Sequence, residues 1–458
     1  MPGQDVYLKN TDEVLIAFEA VFFIGSSEGN DRLTVFRVRF RTTHRLHGQN
    51  SKVGVMSGLP TIRPCAHFRV KEPGSCWFPP EHHNRSSPYS DGVRICMLPL
   101  VFALIVGPPL VSAQTTGRTP YQKNPVGEAK WSREKHTRPG IDPAAIESLY
   151  QEMDREPHHD LKAIVIVRSG RLASERYFNG DSADTLHDIR SATKSVTSLL
   201  MGIAIQKGLI HSVNDSIALY LPGLPRDGKE KITIKDLLNM RSGLDADDED
   251  ASTPGDEDNL DKSSDWIHTI YAVPIKWPPG AKYNYCSINA FLTGAIVENA
   301  THMPLDVFAR ANLFEPLGIK NYRWRHVPID RITGQGNLSI TARDMAAIGE
   351  LMLNGGTVNG KRLVSQAWIA RSVKNQVSIS DSDPYADFYG YMWYTKAEPF
   401  RNGTIDVHFA SGNGGNKIYI VPSLHMVVGI TSSAYNTNYG QRRSQGILWK
   451  ILAAASAK

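Results

Sequence analysis

The sequence predicts an α+β fold: an antiparallel β-sheet flanked by helices, with a helical lobe beside it. Three observations carry that prediction. Residues 162–178, KAIVIVRSGRLASERYF, are two strand-like runs around Ser169-Gly170, a hairpin signal. From about residue 190 to 354 the apolar residues recur at helical spacing. Beyond them come several strand-like runs joined by short turns, and short turns connect antiparallel neighbours. The early hairpin and the late strands are expected to share one sheet.

Taken in order, residues 1–96 have poor periodicity and scattered Arg, His, Cys and Pro, and read as a mis-assigned or disordered N-terminal extension. Met97–Gln114, MLPLVFALIVGPPLVSAQ, follows with an apolar run, a helix-breaking Gly-Pro-Pro and the small-residue pattern Val111-Ser112-Ala113. It is short for a bilayer span. The expectation is a signal peptide over 97–113, with translation starting near Met97. The product would be secreted or periplasmic, with no stable membrane insertion after cleavage. Its N-terminus is expected at Gln114, and N-terminal sequencing of native material checks this; peptides from residues 1–90 would overturn it. The competing reading is a genuine extension with an internal apolar segment. Residues 114–140 are polar, with Pro and Gly, and read as a linker to a body at 141–458.

Within that body, PAAIESLYQEM reads as a helix with Ile146, Leu149 and Tyr150 on one face. The hairpin comes next, then a helix after Ser191 with Val196, Leu199, Leu200 and Ile203 at helical spacing and Gly208 as C-cap. ITIKDLLN is a short amphipathic helix. The acidic run Asp245–Asp265 lacks the spacing of a calcium loop and reads as a solvated loop. Helices are expected around 288–301 and 341–354, strands at GYMWYTK, IDVHFASG, NKIYIVPS and MVVGITSS, and a last helix in QRRSQGILWKILAAA.

Composition narrows the function classes. The 458 residues are 41% apolar, and their net charge of +5 comes with no Lys/Arg block, which argues against a nucleic-acid or membrane-surface partner. Cys65, Cys76 and Cys96 precede residue 97, so Cys286 is alone in the body and cannot form an internal disulfide there. His82-His83 and His158-His159 lack metal-ligand spacing and read as surface residues. No metal or cofactor is expected.

Three pieces can carry chemistry. Ser191 and Lys194 stand one turn apart at the mouth of an apolar helix. They are either an N-cap with a solvated lysine or a nucleophile beside its base, since a serine hydroxyl needs a base to attack at neutral pH. Tyr283, Tyr285 and Ser287 precede the helix near 288, as packing residues or as a phenol poised to exchange a proton. HFASGNGGNKIYIVP places glycines at a strand, which weakens it unless something approaches the backbone closely. A substrate acyl group would do so; a bulge or tight hairpin is the plain alternative. His408 could line the same place, and Cys286 reads as packing.

In this order and spacing the three pieces resemble serine hydrolases of the class C β-lactamase and penicillin-binding-protein group, nearest the esterase and 6-aminohexanoate-dimer hydrolase branch. The likeness runs over about residues 140–450 and includes DLLNMRSGL, PGAKYNYCS, LFEPLGI, LSITARDMAAIG and GYMWY. It implies a β-lactamase/transpeptidase-like fold and a small ester, amide or peptide as substrate. Carried over by motif, Ser191 would form an acyl-enzyme. Lys194 and Tyr285 would act as base and then acid, the lysine cation favouring tyrosinate. Ser287 would stand at the third position of the second motif. The Ser191 N–H and one from Gly412–Asn413 would form the oxyanion hole, with Gly414 beside them. Two departures matter: Ser287 replaces an Asn, and Ala410-Ser411-Gly412 replaces K-T-G. Without that lysine, an esterase or small-amide hydrolase is expected over a β-lactamase or D-Ala-D-Ala carboxypeptidase. A non-catalytic penicillin-binding sensor module would need no activated serine.

Overall fold

The computed structural model describes residues 140–327 and 331–455, together with the backbone of three earlier strands, Gln4–Asn10 (β1), Glu13–Ile24 (β2) and Thr34–Arg45 (β3). Residues 1–114 and 115–458 are two separate compact units. In the first, β1, β2 and β3 pair antiparallel in that order, within the stretch read as an extension. EVLIAFEAVFFI is rich in residues that suit a pleated strand. The signal-like segment 97–113 and all of the linker before Gly140 lie outside the described residues.

The second unit opens with Pro143–Asp154 (α1), capped by the Asp142 side chain and burying Ile146, Leu149 and Tyr150 as their spacing predicts. Leu161–Arg168 (β4) and Arg171–Tyr177 (β5) then form a two-residue hairpin, with positive φ at both Ser169 and Gly170. Ala192–Gln206 (α2), Ser287–Thr301 (α3) and Ala342–Leu353 (α4) follow, the last closed by a Thr341/Asp344 capping box. Short helices, among them Ile234–Leu238, Trp266–Ala272 and Leu305–Ala309, lie between these in the helical middle.

The closing strands are Val377–Ser378 (β6), Phe388–Gly390 (β7), Trp393–Phe400 (β8), Gly403–Gly412 (β9), Asn416–Val421 (β10) and Met426–Ser432 (β11). Tyr439–Ala455 (α5) ends the chain. One eight-stranded antiparallel sheet runs β6-β7-β8-β9-β10-β11-β4-β5. The early hairpin therefore joins the late strands, with Val427 opposite Val167. On one face α4 packs so closely that a Cβ at Gly349 would lie 2.4 Å from Val427. On the other, Gln445 and Trp449 of α5 donate to the buried Glu398 of β8.

One strand expectation differs. GYMWYTK is not continuous: Tyr391 and Met392 have φ of 41° and 64° and form the β7–β8 turn. That turn is fixed from outside, by Tyr391 N donating to Asn239 Oδ1, Met392 N to Leu238 O, and Ser195 Oγ to Met392 O. Three tertiary bonds hold non-glycine residues in a conformation that sequence disfavours.

Candidate active site

Ser191 is placed by the segment before it. His187–Asp188 pairs with Leu338–Ile340, and Ile189 N donates to Leu338 O. Arg190 then takes φ +51°, with its N–H on Asp188 Oδ1 at 2.9 Å and its guanidinium 4.2 Å from the Tyr435 ring centre. A left-handed arginine immediately before a helix is a tight, strained entry. Ser191 itself is already helical, at φ −63° and ψ −12°, and its side chain makes no capping bond. An N-cap serine would have extended dihedrals and accept from the second or third N–H of the helix. The capping alternative is not realised.

The hydroxyl instead accepts from Lys194 Nζ at 2.9 Å. That ammonium also donates to Ser287 Oγ and to the Gln335 carbonyl, both at 3.1 Å, and lies 5.0 Å from the Tyr285 ring centre. Lys194 is only 2% exposed. Helix α2 is buried from Ala192 to Ala204, so this is no solvated lysine. Burial pulls its pKa down, but attraction to Tyr285, Asp248 and Glu257, with a hydrogen bond to Tyr285, outweighs burial and leaves it above the ordinary lysine value. Lys194 is therefore a cation at neutral pH.

Asp248 was not visible as a site residue in the sequence. It comes from the acidic run read as a solvated loop, yet it is half-buried and accepts from both Ser287 N (3.0 Å) and Ser287 Oγ (2.8 Å). Burial raises its carboxyl to about 6, against the pull of the Lys194 charge, with Glu257 adding to the rise. Ser287 thus bridges a half-buried carboxylate and a buried ammonium. Gln335 is the other unforeseen partner; it contributes a backbone carbonyl, for which no side-chain signal exists.

The third piece ends beside the Ser191 turn, and its glycines have a cause within the chain itself. A Cβ on Gly412 would fall 2.0 Å from Ile189 O and 3.2 Å from Ala192 N, so the end of β9 abuts the turn carrying Ser191. A Cβ on Gly414 would meet Tyr435 at 2.9 Å. The close approach is the protein's own backbone and side chains. Residues 413–415 form the β9–β10 hairpin, and the Asn413 side chain is bonded to Asn436 through Nδ2 (2.6 Å) and Oδ1 (2.8 Å). The Ser191 N–H is used by none of the turn's backbone bonds, which run from Ala192 N to Ile189 O, Thr193 N to Arg190 O and Lys194 N to Ser191 O.

The remaining candidates separate. Burial pushes the Cys286 thiol far up, as for a packing residue. His408 is engaged with Thr395 Oγ1 at 2.9 Å across the β8–β9 pair. His158 stacks on Tyr439 at 3.9 Å, and His82-His83 lie outside the described residues. Among the described residues no helix is long and apolar enough to cross a membrane.

A serine bonded to a buried lysine, on a helix clamped against an antiparallel sheet, defines the chain as a hydrolase of the serine type. It belongs to the Beta-lactamase family, whose model matches residues 149–449. It is 23% identical over 325 residues to the 6-aminohexanoate-dimer hydrolase of Paenarthrobacter ureafaciens, covering 64% of this chain and 79% of that one. A Salmonella schwarzengrund protein, named provisionally as a D-alanyl-D-alanine carboxypeptidase, is 26% identical over 243 residues. That match spans 42% of this chain and only 56% of its relative. A solved family VIII carboxylesterase shares the fold, with a TM-score of 0.55 at 17% identity over 68% of this chain and 97% of that one.

Proposed function

We propose that the chain is an exported serine hydrolase that cleaves a small ester or amide through an acyl-enzyme on Ser191, with Lys194 and Tyr285 as its acid–base pair. The observation that carries this is the 2.9 Å contact between a buried, charged Lys194 and a Ser191 hydroxyl free of capping duty. Lys194 and Tyr285 together take the Ser191 proton while Oγ bonds the acyl carbon. The pair then returns that proton to the departing alcohol or amine. Water enters by the same route in reverse and releases the acid. Negative charge on the carbonyl oxygen is met by the Ser191 N–H and one N–H from Gly412–Asn413, each worth roughly 3 kcal/mol. Asp248 positions Ser287 and balances the lysine charge. The relatives' named activities on amide and peptide bonds, and the carboxylesterase likeness, support this substrate range.

A fluorophosphonate probe combined with a substrate panel tests the reading. The folded protein should be labelled at Ser191 and should turn over short-chain p-nitrophenyl esters faster than nitrocefin, because Ala410 stands where a strand lysine would meet a β-lactam carboxylate. The panel includes 6-aminohexanoate dimer and D-Ala-D-Ala peptides to place the amide arm. No labelling and no turnover would leave a sensor module; nitrocefin outpacing every ester would make the protein a β-lactamase.

A further inference from the structure

Arg190 is left-handed one residue before Ser191, at φ +51°, where a residue bearing a Cβ stays only if its surroundings over-determine it. Asp188 supplies part of that constraint. Its Oδ1 accepts from Arg190 N at 2.9 Å, and its Oδ2 lies 3.5 Å from Arg190 Nε. Asn337 Nδ2 donates to the same Oδ2 at 3.3 Å, so the carboxylate is anchored to the chain entering Leu338–Ile340. Tyr435 supplies another part: its ring centre is 4.2 Å from the Arg190 guanidinium, and its hydroxyl donates to Asp188 O at 3.0 Å.

Ser191 takes its direction from this turn. Its side chain makes no capping bond, while Ile189 on the other side of Arg190 is fixed, its N–H on Leu338 O and its carbonyl against Gly412. Arg190 is the joint between that fixed strand end and the helix. Relaxing its φ to the ordinary negative range would swing the Ser191 hydroxyl and N–H relative to β9. The hairpin opposite is held by the same segment: a Cβ on Gly414 would meet the Tyr435 ring at 2.9 Å, and Asn436 pairs with Asn413 through two hydrogen bonds. Tyr435–Asn436 therefore links the turn carrying the nucleophile to the hairpin proposed to give the second oxyanion N–H. An oxyanion donor works over a narrow range of distance, roughly 2.7–3.1 Å, so a small swing is costly.

We infer that Asp188 and Tyr435 hold Arg190 left-handed and so aim the Ser191 hydroxyl and N–H at the acyl carbon and its oxygen. Both are positioning residues. Their hydrogen bonds go to Asn337, to Arg190 and to the Asp188 backbone, and none goes to Ser191, Lys194 or Tyr285. The inference rests on the Ser191 acyl-enzyme reading. A group that aims the nucleophile without touching the substrate should govern kcat and leave KM nearly unchanged.

The test measures kcat and KM on p-nitrophenyl butyrate, with the rate of fluorophosphonate labelling, in the full chain and its variants. Asp188→Ala should lower kcat and the labelling rate together by roughly tenfold to a hundredfold, with KM within about threefold. Asp188→Asn keeps an oxygen for the Arg190 N–H and should stay within about fivefold of wild type. Tyr435→Phe loses only the hydroxyl bond and should lower kcat roughly threefold to tenfold. Arg190→Gly decides the cause, because glycine takes a positive φ without strain. Alone it should stay within about tenfold of wild type, and beside it Asp188→Ala and Tyr435→Phe should each cost less than about twofold. Undiminished losses beside Arg190→Gly, a folded but inactive Arg190→Gly, or a folded Asp188→Ala with wild-type kcat would overturn the proposal. Should Asp188→Ala fail to fold, Tyr435→Phe alone and combined with Arg190→Gly still decides it. A wild-type chain with no Ser191 labelling and no ester turnover would instead sink the acyl-enzyme reading, and this inference with it.

Discussion

Ser191→Ala is expected to abolish acyl-enzyme formation and reduce ester turnover by at least about 10⁴-fold, the scale seen when a nucleophile is removed. The fold should survive, because the hydroxyl caps nothing and Lys194 keeps two other acceptors, Ser287 Oγ and Gln335 O. Mass spectrometry after a fluorophosphonate probe, with circular dichroism as the folding control, reads both halves. A folded variant with wild-type ester turnover would remove Ser191 from the chemistry altogether.

Lys194→Ala should be nearly as severe. It removes the charge beside Tyr285 and leaves the Asp248 carboxylate without its cation, so that its pKa would climb further above about 6 once the lysine no longer opposes desolvation. Tyr285→Phe removes one proton carrier and should lower kcat on the order of 10²–10⁴-fold. The informative measurement is the double variant. If lysine and tyrosine form one proton-transfer unit, Lys194→Ala/Tyr285→Phe should be little worse than Lys194→Ala alone. Multiplicative losses would mean that the two act separately, and the pairing proposed above would be wrong.

Much of this was legible in the residues because the relevant signals are local. Ser169-Gly170 announces its hairpin, Ile146, Leu149 and Tyr150 announce their helix face, and the strand-rich C-terminus announces an antiparallel sheet. The three motif segments were legible for the same reason, each being a short run with unusual neighbours. What escaped is what only the folded chain juxtaposes. Asp248 stands among acidic residues whose composition looks solvated whether or not one member turns inward. Gln335 acts through a carbonyl, which every residue owns. Lys417 meets Ser411 only because the hairpin register sets them opposite; a shift of one residue would send it to the other face of the sheet. The smallness required at Gly412 has a cause in the fold that no local signal announces, the backbone of Ile189, whose carbonyl an added Cβ would meet.

The pairing of β11 with β4 has a consequence for how the molecule comes into being. Val427 must find Val167 after the whole helical middle has been synthesised, and Gly412 closes on the Ser191 turn only once β9 and β10 exist. Contacts this distant along the chain make for slow folding, because loop-closure entropy is spent before any long-range bond repays it. A nascent chain lacking its last strands would hold β4 and β5 as a lone hairpin, too little to be stable in water. A ribosome stalled before residue 426 would therefore carry Ser191, Lys194 and Tyr285 in full and still hold no enzyme.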